Sequence, residues 1–166
     1  MPQLLPADTI SAACRGELQL VIEWLTKGGH IDALDRGGYG LLHGAATGGQ
    51  LRVAKELLQR GASVDLRGTG GITALMGAVA EGRHAIVRLL LEHKASTDLQ
   101  EADEMTALMM AACKGRQECV QELLQAGAST ALRDQGGITA LQIAAGNGHA
   151  AIAKLLRQHA ATPPAS

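Results

Sequence analysis

Histidine and cysteine are the residue types in this 166-residue chain that could bind a metal or attack a substrate, and it has six and three of them. No two histidines form an HxxxH pair and no two cysteines form a CxxC pair, the spacings that bring metal ligands together on a helix or turn. An odd cysteine count without such pairs is typical of a reducing compartment rather than of a disulfide framework. The sequence therefore predicts neither a metal site nor a bound cofactor.

Glycine-rich phrases could instead cradle a phosphate, and the chain contains RGG, GTGG and QGG, beginning at Arg36, Gly68 and Gln135. A phosphate-binding loop follows a strand, opens a helix and ends in Lys-Ser or Lys-Thr. None of these phrases has that ending. We therefore interpret their glycines as turn residues.

The composition favours helices as the elements that position these residues. The chain has no phenylalanine, one tryptophan and one tyrosine, whereas alanine, leucine and glycine abound. Sandwiches and barrels draw on aromatic and β-branched residues, so a core of alanine and leucine predicts an all-α fold of closely stacked helices.

The charge gives no reason to expect a nucleic acid or a membrane as partner. The net charge is −1, lysine and arginine are scattered, and no apolar stretch is long enough to cross a bilayer. The first residues contain Asp8 and no cationic segment, so they do not form a secretory signal. We expect a soluble, intracellular protein of the cytoplasm, possible also in the nucleus.

A sequence repeat of 33 residues runs through the chain. GITAL occurs at 71–75 and again at 137–141, with EMTAL midway between them at 104–108. Two columns of the repeat are Leu42, Leu75, Leu108 and Leu141, and Gly49, Gly82, Gly115 and Gly148. A degenerate row lies upstream, with Ala12, Gly16 and Gly28 in matching positions, which makes five units.

Each recurring position has a physical reason. Thr73, Thr106 and Thr139 precede an apolar helical segment, where a hydroxyl can cap the first helical turn. The glycine after that helix allows a tight turn into a second helix, and Gly61 and Gly127 supply a left-handed stop at its end. One such helix pair cannot bury its own faces, so we expect the pairs to stack.

The same columns indicate what the cysteines do. Cys119 shares a column with Val53 and Ile86, which predicts a buried apolar side chain. Cys14 and Cys113 share a different column, and neither has a histidine or carboxylate positioned to activate it. We therefore expect no catalytic function.

The pattern resembles the ankyrin repeat family, whose 33-residue unit carries a T-P-L-H-x-A phrase. The resemblance covers about residues 8–161, although the proline of the phrase is absent and its histidine survives only as His43. It implies an all-α ankyrin-repeat solenoid of stacked helix-turn-helix units with short β-hairpin-like turns. The expected repeats lie at about 8–34, 35–67, 68–100, 101–133 and 134–161, between tails at 1–7 and 162–166.

The resemblance also bears on stability and on the histidines. Lys94 and Ala160 replace the glycine that ends the second helix, which costs roughly 1 kcal/mol each if the left-handed geometry persists. The resemblance implies that His43 and His149 are structural, hydrogen-bonding residues. We expect the other histidines to be solvated; these are His30, His84, His93 and His159.

In this family the turn tips and the exposed side of each first helix line a concave groove that binds other proteins. Transferred by register, the partner-binding tip residues are Arg36, Tyr39, Thr69, Ile72, Asp103, Met105, Gln135 and Ile138. The first-helix residues are Thr47, Glu81, Cys113, Lys114 and Asn147. The resemblance thus implies a non-catalytic module whose partner is another protein.

One tip column is apolar throughout, and it consists of Tyr39, Ile72, Met105 and Ile138. An exposed row of this kind, about 30 Å long, would be typical of an interaction site. Alternatively, each side chain folds over its neighbouring turn and seals the stack. The acidic tip at 101–104 likewise either receives a basic segment of a partner or is a solvated loop.

Two other functions are open at this point. The tips could recognise a small molecule or nucleotide through Arg36, Tyr39 and Lys114, or the stack could act only as a spacer in a larger assembly. We expect a monomer. The last unit is nevertheless less polar than a terminal repeat requires, which predicts fraying or pairing with another chain at the C-terminus.

Overall fold

The computed structural model describes residues 4–161, and within them the chain forms ten α-helices and no strand. The helices come in pairs joined by short turns. The pairs are α1 (Ala7–Arg15) with α2 (Leu18–Thr26), α3 (Leu41–Gly48) with α4 (Leu51–Gln59), α5 (Ala74–Ala80) with α6 (His84–Glu92), α7 (Ala107–Lys114) with α8 (Gln117–Gln125), and α9 (Ala140–Gly146) with α10 (Ala150–Ala161). A short 3₁₀ helix, Thr69–Gly71, lies between α4 and α5.

The pairs stack in line, as the repeat predicts. Each first helix packs against the first helix of the next pair, from α1 through α3, α5 and α7 to α9. The second helices α2, α4, α6, α8 and α10 form another layer in the same order. The prediction of an all-α repeat solenoid is confirmed.

Threonine caps three of the first helices. The hydroxyl oxygens of Thr73 and Thr106 accept the backbone N–H groups of Met76 and Met109, both at 3.3 Å. Thr139 caps α9 in the same way. Each such cap contributes about 1 kcal/mol to stability, and the sequence predicts all three.

Glycine forms the turn within each helix pair. Gly49 and the glycines at 82, 115 and 148 have φ angles of 68–76°, in the left-handed region that other residues avoid. Lys94 adopts the same region at the end of α6, with a φ of 64°, so its expected strain is present. At Ala160 the left-handed geometry does not persist, because α10 continues to Ala161.

Small residues let the first helices approach one another closely. A Cβ atom on Gly48 would lie 2.1 Å from the Cys14 carbonyl oxygen, and one on Gly44 would lie 3.0 Å from the Ile10 carbonyl oxygen. The backbones of α1 and α3 are therefore in contact. This explains why alanine and glycine recur on this helix face.

The packed unit begins ahead of α1. Leu5 is buried, and its N–H donates to the Leu34 carbonyl oxygen at 3.0 Å. Of the two predicted tails, residues 1–3 and 162–166 lie outside the described residues.

Among residues 4–161, no further helix packs on the face that the last repeat turns away from its neighbour. Gln142 and Arg157 are exposed there, in the columns where the preceding repeat buries Met109 and Leu124. Polar residues thus occupy two positions that are apolar in the previous unit. That end of the stack is more polar than the composition of α10 alone indicates.

Candidate functional site

The candidate site starts from the four hairpin turns that join one repeat to the next. The first residue of each turn donates its N–H to the carbonyl oxygen of the fifth at 2.8–3.2 Å; the pairs are Asp35–Tyr39, Gly68–Ile72, Glu101–Met105 and Asp134–Ile138. Where the first residue is acidic, its carboxylate also accepts the N–H of the fifth. The side chain thereby reinforces the backbone bond that closes these tips.

Neighbouring tips are bonded to one another as well. Backbone N–H groups donate across each repeat boundary at 2.7–3.1 Å: Thr69 to Gly38, Ala102 to Gly70 and Gln135 to Asp103. Each tip is therefore held by the one before it. A row of tips that is ordered in advance lowers the entropic cost of binding a partner.

The predicted tip residues differ in exposure. The polar members are all exposed, namely Arg36, Thr69, Asp103 and Gln135. In the apolar column, Tyr39 and Ile138 expose 38% and 42% of their surface, whereas Ile72 and Met105 are half-buried and pack against the core. The outer members of the column project from the face, and the inner members help to seal the stack.

The predicted first-helix residues lie at or just beyond the C-terminal ends of their helices. Glu81, Lys114 and Asn147 are exposed, and Thr47 and Cys113 are half-buried. The Thr47 hydroxyl is held inside its own helix, and Asn147 Nδ2 donates to the Cys113 carbonyl oxygen at 3.2 Å. Within residues 4–161, neither Glu81 nor Lys114 forms an ion pair, so both charges remain available.

His43 is the structural histidine that the repeat phrase implies. It is buried, its Nδ1 accepts the Gly40 N–H at 3.1 Å, and its Nε2 donates to the Ile72 carbonyl oxygen at 3.0 Å. Burial lowers the pKa of His43, so the ring is neutral. Its edge faces the ring of Tyr39, with the centroids 5.8 Å apart.

The sequence analysis did not predict a second set of contacts between repeats. A side chain at the start of each second helix reaches back to a first-helix carbonyl oxygen of the previous repeat, at 3.0–3.3 Å: Gln50 to Cys14, Arg83 to Thr47, Arg116 to Ala80 and His149 to Cys113. His149 does hydrogen-bond, but in this column and not in that of His43. The four donor residues are spaced 33 residues apart, and this spacing could have indicated a shared role. They belong to three residue types, however, which hides the pattern.

Carboxylates link the repeats near the ends of the second helices. The Asp32 carboxylate accepts both the N–H and the hydroxyl of Ser63, and Asp65 does the same for Ser96. On the outer face, Arg88 of α6 pairs with Glu122 of α8. These contacts hold successive repeats in register and leave the tips free.

A hollow of about 300 Å³ opens on the same face, between α1, the first hairpin and α3. Its lining comprises Ile10, Ser11, Cys14, Tyr39, His43, Gly44 and Thr47. Gly44 is part of that lining, in a column that holds Gly77 in the third repeat and Met110 and Ile143 in the fourth and fifth. The second repeat therefore places no side chain of this column beside the hollow.

Charge changes sign along the tips. Arg36 is exposed at the first tip, and Asp103 and Glu104 are exposed at the third. No ion pair among the described residues includes any of the three. Glu101 differs, since its carboxylate accepts the N–H groups of Asp103 and Met105.

The three cysteines differ in burial. Cys119 is buried, and burial raises the pKa of its thiol, which makes it a poor nucleophile. Cys14 is exposed beside the hollow, and Cys113 is half-buried with Asn147 Nδ2 3.6 Å from its sulfur. Among residues 4–161, no group of three or more histidine, cysteine or acidic side chains could hold a metal ion.

The helices of the described part of the chain are too short or too polar to cross a membrane. Comparison with protein families gave a match to the family described as "Ankyrin repeats (3 copies)" over residues 9–101 and again over residues 93–165. A search of curated proteins found no match.

Proposed function

The chain belongs to the ankyrin repeat family, and on that premise we propose that it is a non-catalytic module that binds another protein through its hairpin tips and first helices. Ankyrin repeats are generally protein–protein interaction modules. They are typically non-enzymatic scaffolds.

The row of mutually bonded tips is the observation that carries this proposal. Three backbone hydrogen bonds join the tips to one another, so their side chains are presented on a frame that is already ordered. Arg36, Tyr39 and Ile138 project from that frame. An interface of ordinary size needs roughly 800 Å² from each partner, which a face of several repeats can provide.

Recognition of a nucleotide by the tips has weaker support. It would need cationic and aromatic groups that converge on one point. Arg36 and Tyr39 share the first hairpin, but Lys114 ends α7, two repeats further along the stack. The separation favours a partner large enough to touch several repeats.

The proposal is tested by capturing proteins from a cell extract on the purified chain. The double substitution Tyr39→Asp with Ile138→Asp adds two charges at exposed tip positions. Its matched control, Gln117→Asp with Gln121→Asp, adds two charges at exposed positions on the outer face of α8. Proteins held by the wild type should fall at least tenfold on the tip variant and stay unchanged on the control. Equal capture by wild type and tip variant would remove the tips from the binding face.

A further inference from the structure

We propose that the binding face takes an extended segment of its partner, with one large apolar side chain in the hollow beside Tyr39. A carboxylate of the segment close to that anchor lies near Arg36, and a lysine or arginine further along the segment lies near Asp103 and Glu104. This inference rests on the proposed function and specifies the chemistry of the partner.

The described residues leave the hollow open. Gly44 contributes no side chain to it, and α1 packs closely there, since a Cβ atom on Gly44 would come within 3.0 Å of the Ile10 carbonyl oxygen. Tyr39, which borders the hollow, stays 38% exposed. The open space is therefore accessible to a side chain from outside.

The surface of the lining is mostly apolar, which favours an apolar ligand. Both ring nitrogens of His43 are hydrogen-bonded, and the Thr47 hydroxyl donates to carbonyl groups of its own helix. Ile10 and the ring of Tyr39 supply apolar surface. A charged or amide group buried here would lose its hydration without regaining its full hydrogen bonds.

The volume of the hollow points to one side chain. At about 300 Å³, it lies at the lower limit of the range of roughly 300–1,000 Å³ that is usual for small-molecule sites. Large apolar and aromatic residues that enter such hollows dominate many protein interfaces. A single anchor of that type fits the observed space.

The rest of the face favours an extended segment over a helix. A docking helix presents a stripe of apolar residues at i, i+3, i+4 and i+7, and it needs a continuous apolar groove. Here the hollow is followed by the half-buried Ile72 and Met105 and by the exposed Asp103 and Glu104. A face with one apolar hollow and then exposed charges favours an extended chain as the partner.

The charges set the spacing and direction of the segment. Arg36 belongs to the first hairpin and the acidic pair to the third, two repeats away. At about 10 Å per repeat the separation is about 20 Å, which an extended chain crosses in about six residues. Exposed charges are screened beyond about 8 Å, so each end of the segment responds mainly to its nearest tip.

The test uses a phage-displayed library of random 16-residue peptides against the purified chain. Selected peptides should share a large apolar residue, an acidic residue close to it, and a lysine or arginine about six residues from the acid. Binding of the synthetic peptides is then measured by fluorescence polarisation.

The substitution Cys14→Phe, which fills the hollow, should weaken binding at least tenfold. Gln121→Phe, at an exposed position on the outer face of α8, should change it less than threefold.

A second pair of variants keeps the test decisive if Cys14→Phe disturbs folding. Tyr39→Ala removes a wall of the hollow and should weaken binding tenfold, whereas Leu20→Ala, at an exposed apolar position of α2 outside the tips and first helices, should have little effect. Peptides that bind Tyr39→Ala as tightly as the wild type would overturn the inference. A library selection that yields no binding peptide would overturn it as well. If the tip variant still captured fewer proteins from the extract than the wild type, the proposed function would nevertheless stand.

Discussion

The Nε2 atom of His43 lies 3.0 Å from the carbonyl oxygen of Ile72, so a buried ring of one repeat is bonded to the hairpin of the next. The same ring accepts the Gly40 N–H through Nδ1 and forms a wall of the hollow with Tyr39. Both bonds require the neutral tautomer with its proton on Nε2. The order of the first two tips thus depends on the protonation of one side chain.

Replacing His43 with methionine should remove a pH-dependent part of the stability. Burial lowers the pKa of His43 from its ordinary value of 6.5. The unfolded chain therefore binds the proton first, and the wild type is stabilised fully above about pH 6.5 and loses that stability as the pH falls towards the folded pKa. Methionine fits the site, because Met76 and Met109 are buried in the same column.

Urea unfolding at pH 8 and pH 5 measures the effect. At pH 8 the variant should be less stable by about 1–3 kcal/mol, because the Gly40 N–H and the Ile72 carbonyl lose their partner. At pH 5 the difference should shrink, since only the wild type has lost the contribution of the histidine. A difference that stays constant between the two pH values would contradict the assignment of a neutral His43.

Glu104→Gly should stabilise the chain. Glu104 has a φ of 60°, and the same column holds Gly38, Gly71 and Gly137 in the other tips. A side chain in the left-handed region costs about 1–2 kcal/mol, and the greater freedom of glycine in the unfolded state offsets part of the gain. The expected increase in unfolding free energy is about 0.5–1 kcal/mol.

The reverse substitution, Gly137→Glu, is the matched control for Glu104→Gly. No heavy atom lies within 4 Å of a Cβ built on Gly137, so only the backbone conformation opposes the new side chain. It should lower the unfolding free energy by a similar amount in chemical denaturation. If Glu104→Gly and Gly137→Glu changed the unfolding free energy in the same direction, the left-handed geometry would not be what decides stability at these tips.

Asp65→Ala should weaken the contact between the second and third repeats. The Asp65 carboxylate accepts the N–H and hydroxyl of Ser96, and hydrogen bonds to a charged acceptor contribute about 1.5–3 kcal/mol when buried and less at a surface. We expect a loss of about 1–2 kcal/mol. Asp103→Ala is the control, because Asp103 is exposed and forms no ion pair within residues 4–161. Equal losses from the two substitutions would exclude a specific role for the Asp65 contact.

Much of the fold follows from the 33-residue spacing because residue type and role coincide in its columns. Thr106 precedes an apolar segment, which predicts a helix cap, and Gly115 follows that segment, which predicts a turn. The side-chain bonds from Gln50, Arg83 and His149 to the previous repeat could not be predicted in this way. Amide, guanidinium and imidazole groups share the role of donor without sharing a residue type.

The candidate binding face was harder to predict, since exposure depends on neighbours and not on column alone. Tyr39 and Ile72 occupy the same column, yet Tyr39 is exposed and Ile72 is half-buried. Likewise, the hollow is bordered by residues of α1, the first hairpin and α3, so its lining combines two repeats. Such features arise from the packing of two repeats against each other.

The helices of the last repeat should fray while the chain stays monomeric. The last repeat packs on one neighbour, so amide protons of α10 should exchange faster than those of α8, which lies between α6 and α10. Gln142 and Arg157 are exposed in columns that are apolar in the preceding repeat, and we expect them to oppose pairing of this end with another chain.

Gln142→Met with Arg157→Leu restores the apolar residues of the preceding repeat and should expose a patch that associates. Analytical ultracentrifugation should then find the wild type monomeric and the double variant at least partly dimeric at about 100 μM, because apolar end faces of a repeat stack lack a covering partner. Lys154→Leu, at an exposed position on the outer face of α10, adds apolar surface away from the end and should leave the chain monomeric. Dimers of the wild type, or association of Lys154→Leu to the same extent as the double variant, would show that these two polar residues do not protect the end.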